Sequence, residues 1–107
     1  MIGIMGVKLD NRTGDESDFV EFRLREVNYI YMWSKNIPAY HTANGTYLAL
    51  SKLTDVAAAY GKYGFQRYDQ SSVINVDKIK DKVPQSDGTL IIFQDESSVK
   101  VTKKFKN

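Results

Sequence analysis

The feature that most constrains the fold of this chain is an alternation of apolar and polar side chains with a period of two. The clearest case is FVEFRLR, residues 19–25, in which Val20, Phe22 and Leu24 fall on one face and charged side chains on the other. Successive side chains of a strand point to opposite faces, so this pattern predicts a half-buried strand. Parallel sheets need crossover segments that the chain lacks, and we therefore expect a predominantly antiparallel β fold.

Turn signals separate further extended segments. The dipeptide Asn44-Gly45 lies between two such runs and predicts a hairpin with a type I′ turn, which needs positive φ at both central positions. A second turn is predicted at Asp87-Gly88 and a third at residues 95–97. The extended segments predicted around these turns are residues 28–32, 39–43, 46–50, 65–68, 72–76, 89–93 and 99–101.

One segment breaks the alternation and predicts the principal helix, within about residues 51–61. Leu53, Val56, Ala57 and Tyr60 have the spacing that lines one face of a helix. Ser51 is a candidate N-cap, and a glycine at 61 or 64 can end the helix. Residues 76–80 could form a single helical turn, and the polar segment 10–17 is expected to be a loop.

Composition points away from catalysis. The chain has 107 residues, 42% of them hydrophobic, which suits one domain with a core. It has no cysteine, and His41 is its only histidine, so neither a zinc site nor a histidine-assisted nucleophile is indicated. We expect no enzyme activity, no metal and no cofactor. No apolar run approaches the roughly 20 residues needed to cross a bilayer, and we expect a cytoplasmic protein.

Charge is concentrated towards the C-terminus. The net charge is only +2, but after Glu96 the chain carries four lysines and no acidic side chain: Lys100, Lys103, Lys104 and Lys106. Such a tail is either a solvated terminus or an edge that contacts phosphate groups. The residues alone leave both interpretations open.

Three segments, in order, resemble the family of LytTR-type DNA-binding domains. The first, EVNYIY at residues 26–31, is similar to the family strand D-I-x-Y-I-E. The second, FQRYDQSSVIN at residues 65–75, is similar to F-x-R-x-H-R-S-x-I-V-N and follows the predicted helix. The third, VTKKF at residues 101–105, is similar to V-S-R-R-Y. The resemblance extends from about residue 18 to 107.

The resemblance implies an elongated antiparallel multi-sheet β fold that reads successive major grooves of duplex DNA through loops rather than through a recognition helix. The first binding loop would be residues 33–37, and the second would lie near residue 70. The third contact would be the C-terminal segment. The residues that the resemblance nominates for DNA binding are Lys35, Asn36, Arg67, Asp69, Gln70, Ser71, Lys103 and Lys104.

The chemistry of several of these side chains suits that role. Gln can pair with two atoms of adenine, and Lys can contact guanine or a phosphate. Arg67 could instead brace its loop, and Asn75, which also matches a family position, could bind backbone rather than DNA.

This chain also departs from the family pattern. Asp69 stands where a histidine is usual and Gln70 where arginine is common, which reduces the positive charge of the second loop. Lys103 and Lys104 replace two arginines and remove bidentate forks. A carboxylate facing phosphates is repelled, so we expect Asp69→Asn to strengthen binding to random duplex.

Domain organisation and partners follow from the same resemblance. We expect a LytTR-like domain at residues 18–107, preceded by a strand and loop segment at 1–17 that could belong to it. Such domains serve as output domains of bacterial response regulators in two-component systems, so a receiver or sensor domain is an expected partner, as is a homodimer on DNA repeats. The alternative is a protein-interaction module that kept the fold and lost its affinity for DNA.

Overall fold

Extended backbone dominates the structure, a computed structural model that describes residues 2–105. Within this range the chain forms ten strands: β1 (Gly3–Lys8), β2 (Phe19–Arg23), β3 (Val27–Ser34), β4 (Ile37–Thr42), β5 (Gly45–Ala49), β6 (Phe65–Asp69), β7 (Ser72–Asn75), β8 (Ile79–Gln85), β9 (Gly88–Phe93) and β10 (Ser98–Val101). The α-helix α1 spans Leu53–Tyr60, and short 3-10 helices occupy Glu16–Asp18, Leu24–Glu26, Gly61–Tyr63 and Val76–Lys78. All strand pairs are antiparallel, as the alternation predicted.

The strands form two sheets. A seven-stranded sheet has the order β2-β1-β5-β4-β3-β7-β6, and a three-stranded sheet has the order β10-β9-β8. The molecule is elongated, with extents of 48 × 26 × 26 Å. An elongated, multi-sheet antiparallel fold with one principal helix is thus confirmed.

Two hydrophobic clusters lie on opposite faces of the large sheet. On β3, Ile30 joins the cluster beneath α1, whereas its neighbour Tyr29 joins the cluster beneath the small sheet. The α1 cluster comprises Ile4, Leu24, Val27, Ile30, Tyr40, Leu53, Val56, Phe65 and Val73. The small-sheet cluster comprises Tyr29, Tyr68, Ile74, Ile91, Phe93 and Val101. The layers are therefore helix, large sheet and small sheet.

The helix lies where its periodicity predicted, but it begins differently. Leu53 and Val56 are buried on its inner face. Its N-cap is Lys52, which makes no side-chain cap hydrogen bond, so the prediction of Ser51 as N-cap was wrong. The helix passes into the 3-10 turn at 61–63, and Gly64, with φ of 93°, ends it because glycine has no Cβ to strain that conformation.

The predicted hairpins form, but the first two turns are shifted by one residue. Thr42 pairs with Gly45, so Ala43 and Asn44 occupy the central turn positions, and neither has the positive φ of a type I′ turn. The Thr42 hydroxyl accepts from the Asn44 amide at 3.1 Å and donates to the Gly45 carbonyl at 2.9 Å, which stabilises this arrangement instead. Gln85 likewise pairs with Gly88, so the turn between β8 and β9 is centred one residue before the predicted pair Asp87-Gly88.

Two boundaries also differ, and one strand was missed. The first predicted strand ends at Arg23, and residues 24–26 form a 3-10 turn, although Leu24 is still buried. The helical turn expected within 76–80 is confined to Val76–Lys78. Strand β8 was not predicted, because its sequence IKDKVPQ is mostly polar and exposed and contains a proline.

Candidate nucleic-acid interface

The first two candidate loops lie at the same end of the large sheet. Strands β3 and β7 pair antiparallel, with Tyr31 opposite Ser72, so the end of β3 meets the start of β7. The Met32 amide donates to the Ser71 carbonyl at 3.0 Å. Lys35 and Asn36, both exposed, form the turn after β3, which we call the first turn of the candidate interface. It lies beside the turn between β6 and β7, formed by Gln70 and Ser71, which we call the second turn.

Arg67 holds the second turn from within. Its Nε donates to the Asp69 carbonyl at 3.1 Å, and its Nη2 donates to the Gln70 carbonyl at 2.6 Å. The guanidinium thus fixes the backbone of the turn and leaves the exposed Gln70 side chain without an internal hydrogen bond among the described residues. The bracing role considered for Arg67 is the one that these contacts support.

Asp69 joins the second turn to the chain that follows β10. One carboxylate oxygen accepts from the Ser71 amide at 2.9 Å, with the Ser71 hydroxyl at a longer 3.4 Å. The other accepts from the Thr102 amide at 3.0 Å. Asp69 is therefore engaged by two backbone donors, an arrangement that its departure from the family pattern did not indicate.

Residues 102–105, which we call the C-terminal arm, are held at two further points. The Thr89 hydroxyl donates to the Lys103 carbonyl at 2.7 Å. The Phe105 ring packs edge-on against Tyr68, with centroids 5.0 Å apart, and the Lys103 ammonium lies 5.5 Å from the Tyr68 centroid. The Lys104 side chain is exposed.

A groove connects the first turn, the second turn and the start of α1. It has a volume of about 320 Å³ and is lined by Met32, Asn36, Lys52, Leu53, Thr54, Arg67 and Gln70. Sequence reasoning missed Lys52 and Thr54 as neighbours of these loops. A signal existed in principle, because the start of the predicted helix carries both residues, but only the packing of α1 places them beside Gln70.

Comparisons with known proteins identify the family of this chain. A family model described as the LytTr DNA-binding domain matches residues 17–107. The chain belongs to the LytTR family. A search of the curated proteins found no match to this chain.

A solved structure shares the fold of this LytTR domain. It is described as the LytTr DNA-binding domain of a methyl-accepting/DNA response regulator from Bacillus cereus. The TM-score is 0.77 with 16% sequence identity, over 95% of this chain and 87% of that one. LytTR is a family of DNA-binding domains associated with transcription regulation, and it is not defined by catalysis.

The apolar face of helix α1 in this LytTR domain is packed against the protein core. Leu53 and Val56 pack into the core against the large sheet, and the candidate DNA residues lie on two turns, at the end of β6 and on the C-terminal arm.

The titratable groups of the domain serve the fold. His41 stacks on Tyr29, with centroids 4.8 Å apart, and burial lowers its pKa while nearby Asp95 opposes that shift. Burial would raise the pKa of Asp95, but hydrogen bonds from Ser97 and Asn28 outweigh it and hold that pKa below its usual value. The Asn28 amide lies 2.7 Å from the Asp95 carboxylate and links the two sheets.

Asn75 also has a structural position. It is 4% exposed, and its side-chain amide donates to the Val27 carbonyl at 2.9 Å. Phe65 is paired with Asn75 at the end of the β6–β7 hairpin away from Gln70, so Asn75 lies far along the hairpin from the second turn. The hydrogen bond to Val27 is the backbone-binding role considered for Asn75.

Residues 2–105 hold neither a metal-binding cluster nor a membrane-spanning helix. Across residues 2–105, no cluster of three or more His, Asp or Glu side chains could hold a metal ion. Within the same part of the chain, no helix has the length and hydropathy needed to span a membrane.

Proposed function

We propose that this LytTR domain binds duplex DNA sequence-specifically, as the output domain of a bacterial transcription regulator. The observation that carries the proposal is the joining of three candidate contact segments by direct hydrogen bonds. Ser71 bonds to Met32 beside the first turn, and Asp69 bonds to Thr102 in the C-terminal arm. Three loops held in one fixed arrangement can address neighbouring grooves together.

The proposed contacts differ in kind. Lys35, Lys103 and Lys104 are exposed cations suited to phosphates or guanine, and Asn36 and Gln70 are exposed amides suited to base edges. Ser71 is exposed on the second turn, where its hydroxyl can reach a phosphate oxygen. Arg67 and Asp69 lie at the end of β6 and hold the turn that follows in place.

The setting of the domain is part of the proposal. We infer a cytoplasmic protein with a receiver or sensor domain as partner and a homodimer on repeated DNA sites. We also infer that residues 1–17 belong to the domain, because β1 lies between β2 and β5 in the large sheet.

Trp33 provides a direct test. It is the only tryptophan, it is 45% exposed, and it adjoins the first turn. DNA entering this turn should change its fluorescence, and titration with a randomised duplex at several salt concentrations would give the affinity. A phosphate-contacting domain loses affinity steeply as salt rises. Selection from random duplexes would then identify the sequence and the spacing of half-sites. An absence of any fluorescence or affinity change at low salt would refute the proposal.

A second function has one observation in its favour. Several large apolar side chains are exposed on the strands of the large sheet or beside them: Met5, Phe19, Trp33, Ile37 and Leu50. Exposed apolar surface is typical of protein-interaction sites. A protein-interaction module would bind its partner with little dependence on salt, whereas DNA binding should depend on salt strongly.

A further inference from the structure

Asp69, the last residue of β6, departs from the family pattern, and its contacts suggest a role other than meeting DNA. Its two carboxylate oxygens accept from two backbone amides in different segments, Ser71 in the turn and Thr102 in the C-terminal arm. Hydrogen bonds to an ionised acceptor are among the stronger ones in proteins. No other side chain among residues 2–105 donates or accepts a hydrogen bond between these two segments.

The arm also depends on contacts that do not involve the second turn. Thr89 fixes the Lys103 carbonyl, and the Phe105 ring lies against Tyr68 on β6 and beneath the Lys82 ammonium, 4.2 Å from the ring centroid. These contacts keep the arm on the protein. Among residues 2–105, the hydrogen bond from the Thr102 amide to Asp69 is the one that ties the start of the arm to the residue next to Gln70.

We propose that Asp69 is a positioning residue that locks the second turn to the C-terminal arm, so that Gln70 and Lys104 are presented to DNA as one surface. The inference rests on the proposed DNA-binding function. It also reverses the effect expected from charge alone. If Asp69 only repelled phosphates, removing its charge would strengthen binding. If it locks the two segments, removing it weakens binding although the protein becomes more positive.

The loss of affinity should depend on which side chain replaces Asp69. Alanine at this position accepts no hydrogen bond, while asparagine keeps one acceptor oxygen and replaces the other by an NH₂ group, which only donates. Asp69→Ala should therefore weaken binding to the selected duplex by about tenfold, the effect of one lost charge-assisted hydrogen bond. The affinity of Asp69→Asn for the same duplex should lie between those of Asp69→Ala and the unmodified chain.

A matched control separates position from charge. Asp77→Ala removes the same charge from an exposed residue near the far end of the β6–β7 hairpin, and its carboxylate makes no hydrogen bond with another residue of the described chain. This variant should bind DNA as well as the unmodified chain or slightly better. Tighter binding by Asp69→Ala, like that of the control, would overturn the proposal.

Coupling between the two segments distinguishes a lock from a general loss of stability. Lys104→Ala should cost less affinity in the Asp69→Ala background than in the unmodified chain, because an unlocked arm no longer places Lys104 correctly. Strictly additive losses would contradict the lock. Amide hydrogen exchange at Thr102 should also quicken in Asp69→Ala, while the Ile91 amide in the core of the small sheet keeps its protection.

The exchange measurement needs no DNA. If the unmodified chain binds no duplex, the proposed function fails, and the role of Asp69 in presenting Lys104 to DNA fails with it. If the chain binds DNA but Thr102 exchanges equally fast with and without Asp69, the lock fails and the proposed function stands.

Discussion

Gly88 tests whether the C-terminal arm depends on close packing against the small sheet. A Cβ added to Gly88 would lie 2.1 Å from the Val101 carbonyl oxygen and 3.1 Å from the Thr102 Cα, whereas real Cβ atoms essentially never approach within 3.0 Å. Both neighbours are backbone atoms, so no side-chain rotation can relieve the overlap. The Gly88→Ala variant must move β9 and the start of the arm apart by roughly 1 Å, as overpacked sites do.

The destabilisation expected for Gly88→Ala has two sources. Overpacking of this kind and a φ of 159°, which favours glycine, together should lower the free energy of unfolding by roughly 2–4 kcal/mol. That is a large fraction of the roughly 5–15 kcal/mol by which domains are stable. Displacing Thr102 should also break its bond to Asp69 and weaken DNA binding.

Gly61 is the matched control, because it has helical φ and ψ of −56° and −40° and no atom within 4 Å of an added Cβ. Gly61→Ala should leave stability unchanged or raise it by about 0.4–1 kcal/mol. Urea unfolding of both variants, followed by tryptophan fluorescence and circular dichroism, gives the comparison. Equal midpoints for Gly88→Ala and Gly61→Ala would refute the reasoning.

Four further outcomes are expected. Lys35→Ala should weaken duplex binding, and if it contacts only phosphate the slope of log affinity against log salt should fall by about one unit, equally on all sequences. Gln70→Ala should relax preference at one base pair by roughly 1–3 kcal/mol, measured by repeating the random-site selection, and an unchanged motif would remove this turn from the interface. Phe93→Ala should cost about 3–5 kcal/mol by denaturant unfolding, because this ring is fully buried against Tyr29; a smaller loss would mean that the sheets repack. Burial lowers the pKa of His41 in the folded domain, so on acidification the unfolded chain binds a proton before the folded domain does. The contribution of neutral His41 to stability should therefore be fully present above about pH 6.5 and decrease as the pH falls below that value. Thermal unfolding of His41→Gln should lack this pH dependence.

The sequence alone was sufficient for the class of fold and the family. The period of two places Val20 and Phe22 on the same face of a strand, and so predicted a strand there. The spacing of Leu53, Val56, Ala57 and Tyr60 identified the helix. These signals are local, because a side chain's face follows directly from its position in a strand or helix. The three motifs, taken in order, then pointed to LytTR-type domains, and the family model confirms this over residues 17–107.

The turns show where local signals were insufficient. Asn44-Gly45 indicated a hairpin correctly but not the identity of the central residues, because the Thr42 hydroxyl supplied hydrogen bonds that favour a different turn. Strand β8 carried little apolar pattern and is placed by pairing with β9, a contact between segments.

The arrangement of the candidate site belonged to tertiary structure. The sequence nominated Asp69 as a residue near DNA, but it could not reveal that the Thr102 amide, 33 residues away, lies within hydrogen-bond distance of the carboxylate. The same holds for Lys52 and Gln70, which line one groove only because α1 packs beside the second turn. Periodicity assigns a side chain to a face of its own element. Which elements lie side by side is decided by strand pairing and core packing over the whole chain, and those contacts bring the three candidate segments together.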